Sequence, residues 1–236
     1  MAFKHGKDTK VYLNSTDLSS YLNNADATRS ADIAESTTFG KSAKTYIAGG
    51  KDGTITIAGF FDATADSPIA TNLGTGGQEL VMGIDGVDAT DSVSFGKGNF
   101  TNYGISSPVG DIVAFNADFQ SDEGIFNGTV LENATVTATG SGTARDNSAS
   151  TANGGGAFII VTSASGTSPT LDAKITHSAD NSTYADLVTF TQATSATSEV
   201  KAVAKGTTVN RYLKVEYTVG GSTPSFAVII GFGRNN

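Results

Sequence analysis

A chain of 236 residues without a single cysteine excludes a disulfide-held scaffold, thiolate metal sites and cysteine nucleophiles, and fits folding in a reducing cytoplasm. Only 16% of residues are charged and 38% are hydrophobic, with the surplus in Gly, Ala, Ser and Thr, a balance expected of an all-β protein. The net charge of -8 is unevenly spread: residues 61–140 carry Lys97 alone against eleven acids, whereas the flanking segments are nearly neutral, and so negative a segment repels phosphate.

Met1 to Lys10 has no apolar h-region, and nowhere do eighteen or so apolar residues run together, so neither an export signal nor a membrane span is expected. Lys10 to Asn14 reads as a short strand, followed by a capped turn at Thr16-Asp-Leu-Ser-Ser. Asn23 to Lys44 is a polar stretch and Lys51-Asp-Gly a turn. Thr54 to Phe61 alternates Thr54 and Thr56 with Ile55 and Ile57, the pattern of a half-buried strand. Pro68 near a first turn suggests a short helix over about residues 67–73. Glu79 to Asp85 and Ser92 to Tyr103 read as strands. Ile112 to Phe119 is the clearest strand of this half, with Val113, Phe115, Ala117 and Phe119 inward and Asn116 and Asp118 outward. Phe126 to Val136 continues the sheet.

Residues 141–156 are rich in Gly, Ser, Ala and Asn and read as a hinge or long loop. Six further strands follow, with turn signals between them, at the spacing of an antiparallel sandwich. The expected architecture is therefore two antiparallel β-sandwich domains: residues 1–140, a connection over 141–156, and residues 157–236.

Chemistry-bearing constellations are sparse. His5 and His177 have no acid–base partner nearby in the sequence. Asp180-Asn-Ser with Asp186 could offer oxygen ligands to calcium, but the spacing is not an EF-hand and Asp-Asn is ordinary turn chemistry. Gly49-Gly-Lys-Asp-Gly lacks the phosphate-loop pattern and precedes a strand, as does Gly154-Gly-Gly. Asp118 with Asp122 or Glu123 could pair as glycosidase carboxylates, yet the chain has no Trp to stack a sugar. A solvated acidic surface is the better reading, and neither enzymatic activity nor a cofactor or metal is expected.

The run Arg29-Ser-Ala-Asp-Ile-Ala-Glu-Ser-Thr-Thr-Phe-Gly, then Lys44-Thr-Tyr-Ile-Ala-Gly-Gly-Lys-Asp-Gly-Thr and Ala58-Gly-Phe-Phe-Asp, resembles the tail tube (major tail) proteins of long-tailed bacteriophages. Tyr103-Gly-Ile-Ser-Ser-Pro-Val-Gly-Asp and Phe115-Asn-Ala-Asp-Phe-Gln-Ser extend the likeness over about residues 8–131. Some head-decorating proteins share this flavour. The segments Leu171-Asp-Ala-Lys-Ile-Thr-His-Ser-Ala-Asp-Asn-Ser-Thr-Tyr-Ala-Asp-Leu and Arg211-Tyr-Leu-Lys-Val-Glu-Tyr resemble galactose-binding-like jelly rolls appended to phage virion proteins.

The resemblance implies a tail-tube-like first domain with at most a short helix and a jelly-roll-like second domain. It implies a virion subunit, assembled in the host cytoplasm, that forms stacked hexameric rings with copies of itself and meets other tail proteins. DNA would pass through an acidic lumen without specific binding. Asp118, Asp122 and Glu123 are the lumen-lining candidates, and Phe39, Tyr46 and Ile47, within the polar stretch Thr37 to Lys51, are the assembly candidates. A capsid decoration (cement) protein and a carbohydrate-binding module are the alternatives.

Overall fold

The computed structural model describes residues 5–235. In chain order the strands are β1 (Lys10–Leu13), β2 (Thr16–Asp17), β3 (Leu22–Glu35) and β4 (Tyr46–Phe60); the helix α1 (Ala63–Thr71) follows. Then come β5 (Gln78–Gly83), β6 (Ser92–Ser106), β7 (Ala114–Ser121), β8 (Phe126–Val136), β9 (Gly140–Ser141) and β10 (Arg145–Asp146). The chain ends with β11 (Gly155–Ser178), β12 (Ala185–Thr189), β13 (Thr197–Val203) and β14 (Tyr212–Arg234). The protein is all-β as expected, with one short α-helix among the described residues and antiparallel pairing between its strands.

Contacts divide the chain into two compact units that are not consecutive in sequence. Among the described residues the first gathers 5–20, 79–95 and 126–235; the second is formed by residues 21–78 and 96–125. The expected boundary between residues 140 and 157 is not where the contacts divide, because β8 pairs along β14, Val136 opposite Phe226 and Thr129 opposite Phe232.

In the first unit β11 and β14 form one long hairpin that folds over itself. Gly155–Val161 pairs with Val228–Arg234, and Thr170–Ser178 pairs with Tyr212–Gly220. Both halves feed the same core: Ile159 and Val161 with Leu171 and Ile175, Leu213 and Val215 with Phe226, Val228 and Ile230. A two-layer sandwich results from a bent ribbon. The bend falls at register shifts between Val161 and Thr170. There Gly166 and Gly221 adopt φ of +119° and +97°, where a side chain would be strained. The stretch Ala157–Val161 is apolar at every position because it is buried on both faces, Ile159 in one cluster and Phe158 and Ile160 in another with Val93, Phe95 and Ile229. Phe95 stacks on Phe126 at 5.5 Å between ring centroids and meets Phe158 at a tilt at 4.8 Å. Across this core the buried Glu79 accepts a hydrogen bond from the Val200 N–H (2.9 Å) and another from the Ser198 hydroxyl, which occupies a donor on the edge strand β13.

The segment expected to be a hinge is stitched to this unit. β9 and β10 pair with β14, and Thr151 and Val209 exchange backbone hydrogen bonds. The Arg234 guanidinium donates to the carbonyls of Ala149 (2.6 Å) and Asn210 (2.5 Å). Arg211 grips both oxygens of Asp146 at 2.6 Å. Its composition lacked apolar periodicity because these bonds, rather than a buried face, hold it. Arg211 first, and the Ser148 N–H second, lower the Asp146 carboxyl from 3.8 to about 2. The depressed value means that the stabilisation is present above the ordinary carboxyl range and is lost as pH falls toward 2. Protection of the Ser148 amide against exchange, relative to its intrinsic rate at each pH, is expected to fall over that window, and Asp146→Asn to remove the pH dependence.

The second unit is a four-stranded antiparallel sheet in the order β3–β4–β7–β6 with α1 beside it. The helix begins earlier than expected because the Asp62 side chain caps it, accepting from the Thr64 N–H at 2.8 Å. Pro68 sits inside it, leaving the Thr64 carbonyl without its helical donor. Two further expectations are corrected here: the polar stretch after Asn23 is largely strand β3, and Lys51-Asp-Gly lies within β4, opposite Ala31, Ser30 and Arg29 of β3, rather than in a turn.

Candidate functional site

The register of this sheet sorts its residues onto two faces. On one face run three rungs: Ala27, Ile55, Phe119, Phe100; then Ala25, Ile57, Ala117, Tyr103; then Gly59, Phe115, Ile105. Ile55, Ile57, Phe100 and Phe119 are fully buried, Phe100 meeting Phe119 edge-on at 5.6 Å. The Tyr103 hydroxyl donates to Asp66 of α1, which places the helix over this face. Burial first, and this hydrogen bond second, push the Tyr103 hydroxyl up, so it stays a donor at ordinary pH.

The other face has rungs Thr28, Thr54, Gln120, Asn99; then Asp26, Thr56, Asp118, Asn102; then Asn24, Ala58, Asn116, Gly104. A skipped residue at Thr101 in β6 keeps Asn102 on this side. Every member is polar or small. Asp118 accepts from the Thr56 hydroxyl and the Asn102 amide, each at 3.0 Å, and Asp26 accepts from the Asn24 amide at 2.8 Å. Asp122 accepts from the Asn99 amide at 3.2 Å, and Asp52, two residues from Thr54 on the same side, accepts from the Gln120 amide. Neutral amides and hydroxyls thus orient four carboxylates without cancelling their charge. At one end of the sheet the Lys97 carbonyl accepts from the Asp122 N–H at 2.9 Å, and alternation with Asn99 sets the exposed Lys97 on this side.

Of the lumen candidates, Asp118 is half-buried on this face and Asp122 at its end, while Glu123 lies exposed in the turn between β7 and β8. The Ser121 hydroxyl bonds the Gly124 carbonyl at 2.6 Å to shape that turn, and Gly124 adopts φ +79°. Asp26, Asp52 and the amides of Asn24, Asn99, Asn102 and Gln120 were missed. Asp26 and Asp52 lie in the segment whose charges balance, so a charge map along the chain could not find them; the Thr54/Thr56 alternation was the available signal.

Beyond the residues paired with β7, strands β3 and β4 continue as a ribbon with Glu35 opposite Tyr46, and its positions are exposed on both strands. Phe39 is 108% exposed, Ile33 67%, Ile47 63% and Tyr46 52%, so the assembly candidates share one projecting element. β3 pairs only with β4 among the described strands, leaving its outer edge unpaired.

The residues weighed and set aside in the sequence fall elsewhere. His177 is half-buried and its Nδ1 accepts from the Asn210 N–H at 3.2 Å; burial and then Arg234 lower its pKa. His5 accepts from the Lys7 N–H within a short 3-10 turn. Asp180 accepts from the N–H groups of Ser182 and Thr183, each at 2.9 Å, as an Asx turn does.

No family model and no curated protein matches the chain. Among solved structures, similarity is found to a chain of the virion of a native gene transfer agent particle, at 14% identity and a TM-score of 0.45, covering 52% of this chain and 97% of that one. A chain from the tail of an empty gene transfer agent particle, refined helically with C6 symmetry, gives 14% identity and 0.43 over the same shares. The SPP1 Dit protein, described as a hub adsorption apparatus of phages infecting Gram-positive hosts, gives 10% identity and 0.40, covering 97% of this chain and 99% of that one.

Proposed function

We propose that the chain is a structural subunit of a phage-type tail, non-catalytic, whose second unit polymerises into a tube with its polar sheet face toward the lumen. The observation that carries this reading is the two-faced sheet: one side is sealed by Phe, Ile and α1, the other presents carboxylates fixed by neutral donors. With four oriented carboxylates against Lys97 alone, such a surface is net negative and repels a polyanion, so DNA slides past it.

The free edge of β3 lets the sheet continue into a neighbouring copy, closing a ring and removing the exposed edge. Hexameric rings agree with the sequence resemblance. The ribbon carrying Phe39, Tyr46 and Ile47 then reaches the next ring. An isolated two-stranded ribbon is marginal in water, and a partner that covers it supplies the missing burial.

Negative-stain electron microscopy of the purified protein tests this. Hollow tubes of stacked rings are expected. Compact trimers would favour a capsid decoration protein, and a monomer at every concentration would remove the proposal.

A further inference from the structure

The sheet of the second unit ends in two apolar surfaces, and they lie at opposite ends of it. Beyond the Thr54–Gln120 pair stands the ribbon with Ile33, Phe39, Tyr46 and Ile47. Beyond the Phe60–Ala114 pair stands the β6–β7 loop, where Val109 is 107% exposed and Ile112 61%, beside Ile105 of β6 at 53%, Phe60 at 48% and Phe61 at 40%. The Phe61 N–H donates to the Val113 carbonyl at 2.9 Å, which holds these groups together.

The two ends also differ in charge. Residues 36–45 at the ribbon tip carry Lys41 and Lys44 and no acid, with Lys44 bonded back to Glu35 at 2.9 Å. Residues 60–68 and 105–113 at the other end carry Asp62, Asp66 and Asp111 and no base. The ribbon runs eight residues past Thr54, roughly 26 Å at strand rise, long enough to bring its tip onto another molecule.

We infer that the ribbon tip of one copy docks on the β6–β7 loop end of a second copy, Phe39 against Val109 and Lys41 facing Asp111. The inference rests on the tube reading and names the receptor surface for the ribbon. Complementary patches at opposite ends of one molecule make a head-to-tail contact, which propagates without closing and builds a filament along the strand direction. Apolar burial supplies the attraction, and the opposed charges reject tip-to-tip and loop-to-loop pairing.

The chain has no cysteine, so engineered pairs report cleanly. Under oxidation the double variant Phe39→Cys/Val109→Cys is expected to give a ladder of disulfide-linked oligomers, mixed single variants to give dimers, and each single variant alone to give none. Lys41→Glu should raise the concentration needed for assembly about tenfold, and Asp111→Lys in the same chain should restore it. Tubes that form without cross-linking would overturn the docking and leave the tube reading standing. Dimers from Phe39→Cys alone would replace it with a tip-to-tip contact, and a protein that never assembles would overturn both.

Discussion

Phe119→Ala is expected to lower the unfolding free energy by about 3–5 kcal/mol, the usual cost of emptying a fully buried aromatic site. Phe119 is completely buried on the sealed face, between Ile55 on β4 and Phe100 on β6, with the Phe100 ring edge-on at 5.6 Å. Strands on either side are held in register by backbone bonds and cannot collapse inward. Gly98 and Gly59, also on that face, leave no room for movement: a Cβ on either would meet a backbone oxygen at 2.0 Å. Chemical denaturation followed by circular dichroism measures the loss. A change below about 1 kcal/mol would mean that this face is not the core of the second unit.

If the polar face lines a DNA channel as proposed, turning it cationic should create a surface that DNA binds. Asp26 and Asn116 are exposed there and sit on neighbouring rungs, so Asp26→Lys with Asn116→Lys changes charge with little demand on packing. Repeated around a ring, the added ammonium groups contact many phosphates. Binding of a short duplex is expected to appear, and to fall by on the order of 10³-fold between ~50 and ~200 mM salt if about six contacts form. The unmodified protein should show no such binding. If the variant tubes also ignore DNA, the polar face does not line the channel.

How much of this was legible in the sequence depended on range. The alternation of Thr54 and Thr56 with Ile55 and Ile57, and of Asn116 and Asp118 with Phe115 and Phe119, sorts side chains by a period of two within one strand, so both faces of β4 and β7 were readable. β3 was not: its inward positions opposite Ile55 and Ile57 are only Ala27 and Ala25, too small to mark a periodicity, and it is a strand because β4 lies beside it. The same holds for residues 141–156, which are ordered by Arg211, Arg234 and β14, groups more than fifty residues away in the chain.

By itself, the sequence determined an all-β chain, the inward phase of its clearest strands and the absence of thiol chemistry, because these depend on composition and on neighbours within a few residues. Only the tertiary structure decided that each compact unit is assembled from segments that are not consecutive in the chain. It also brought Asp26 and Asp52, from a charge-balanced segment, onto one face with Asp118 and Asp122, and set Phe39 and Val109 at opposite ends of one sheet. The reason is physical: strand order and register are set by hydrogen bonds between residues far apart in the chain, and no local pattern encodes which strand a given edge will accept.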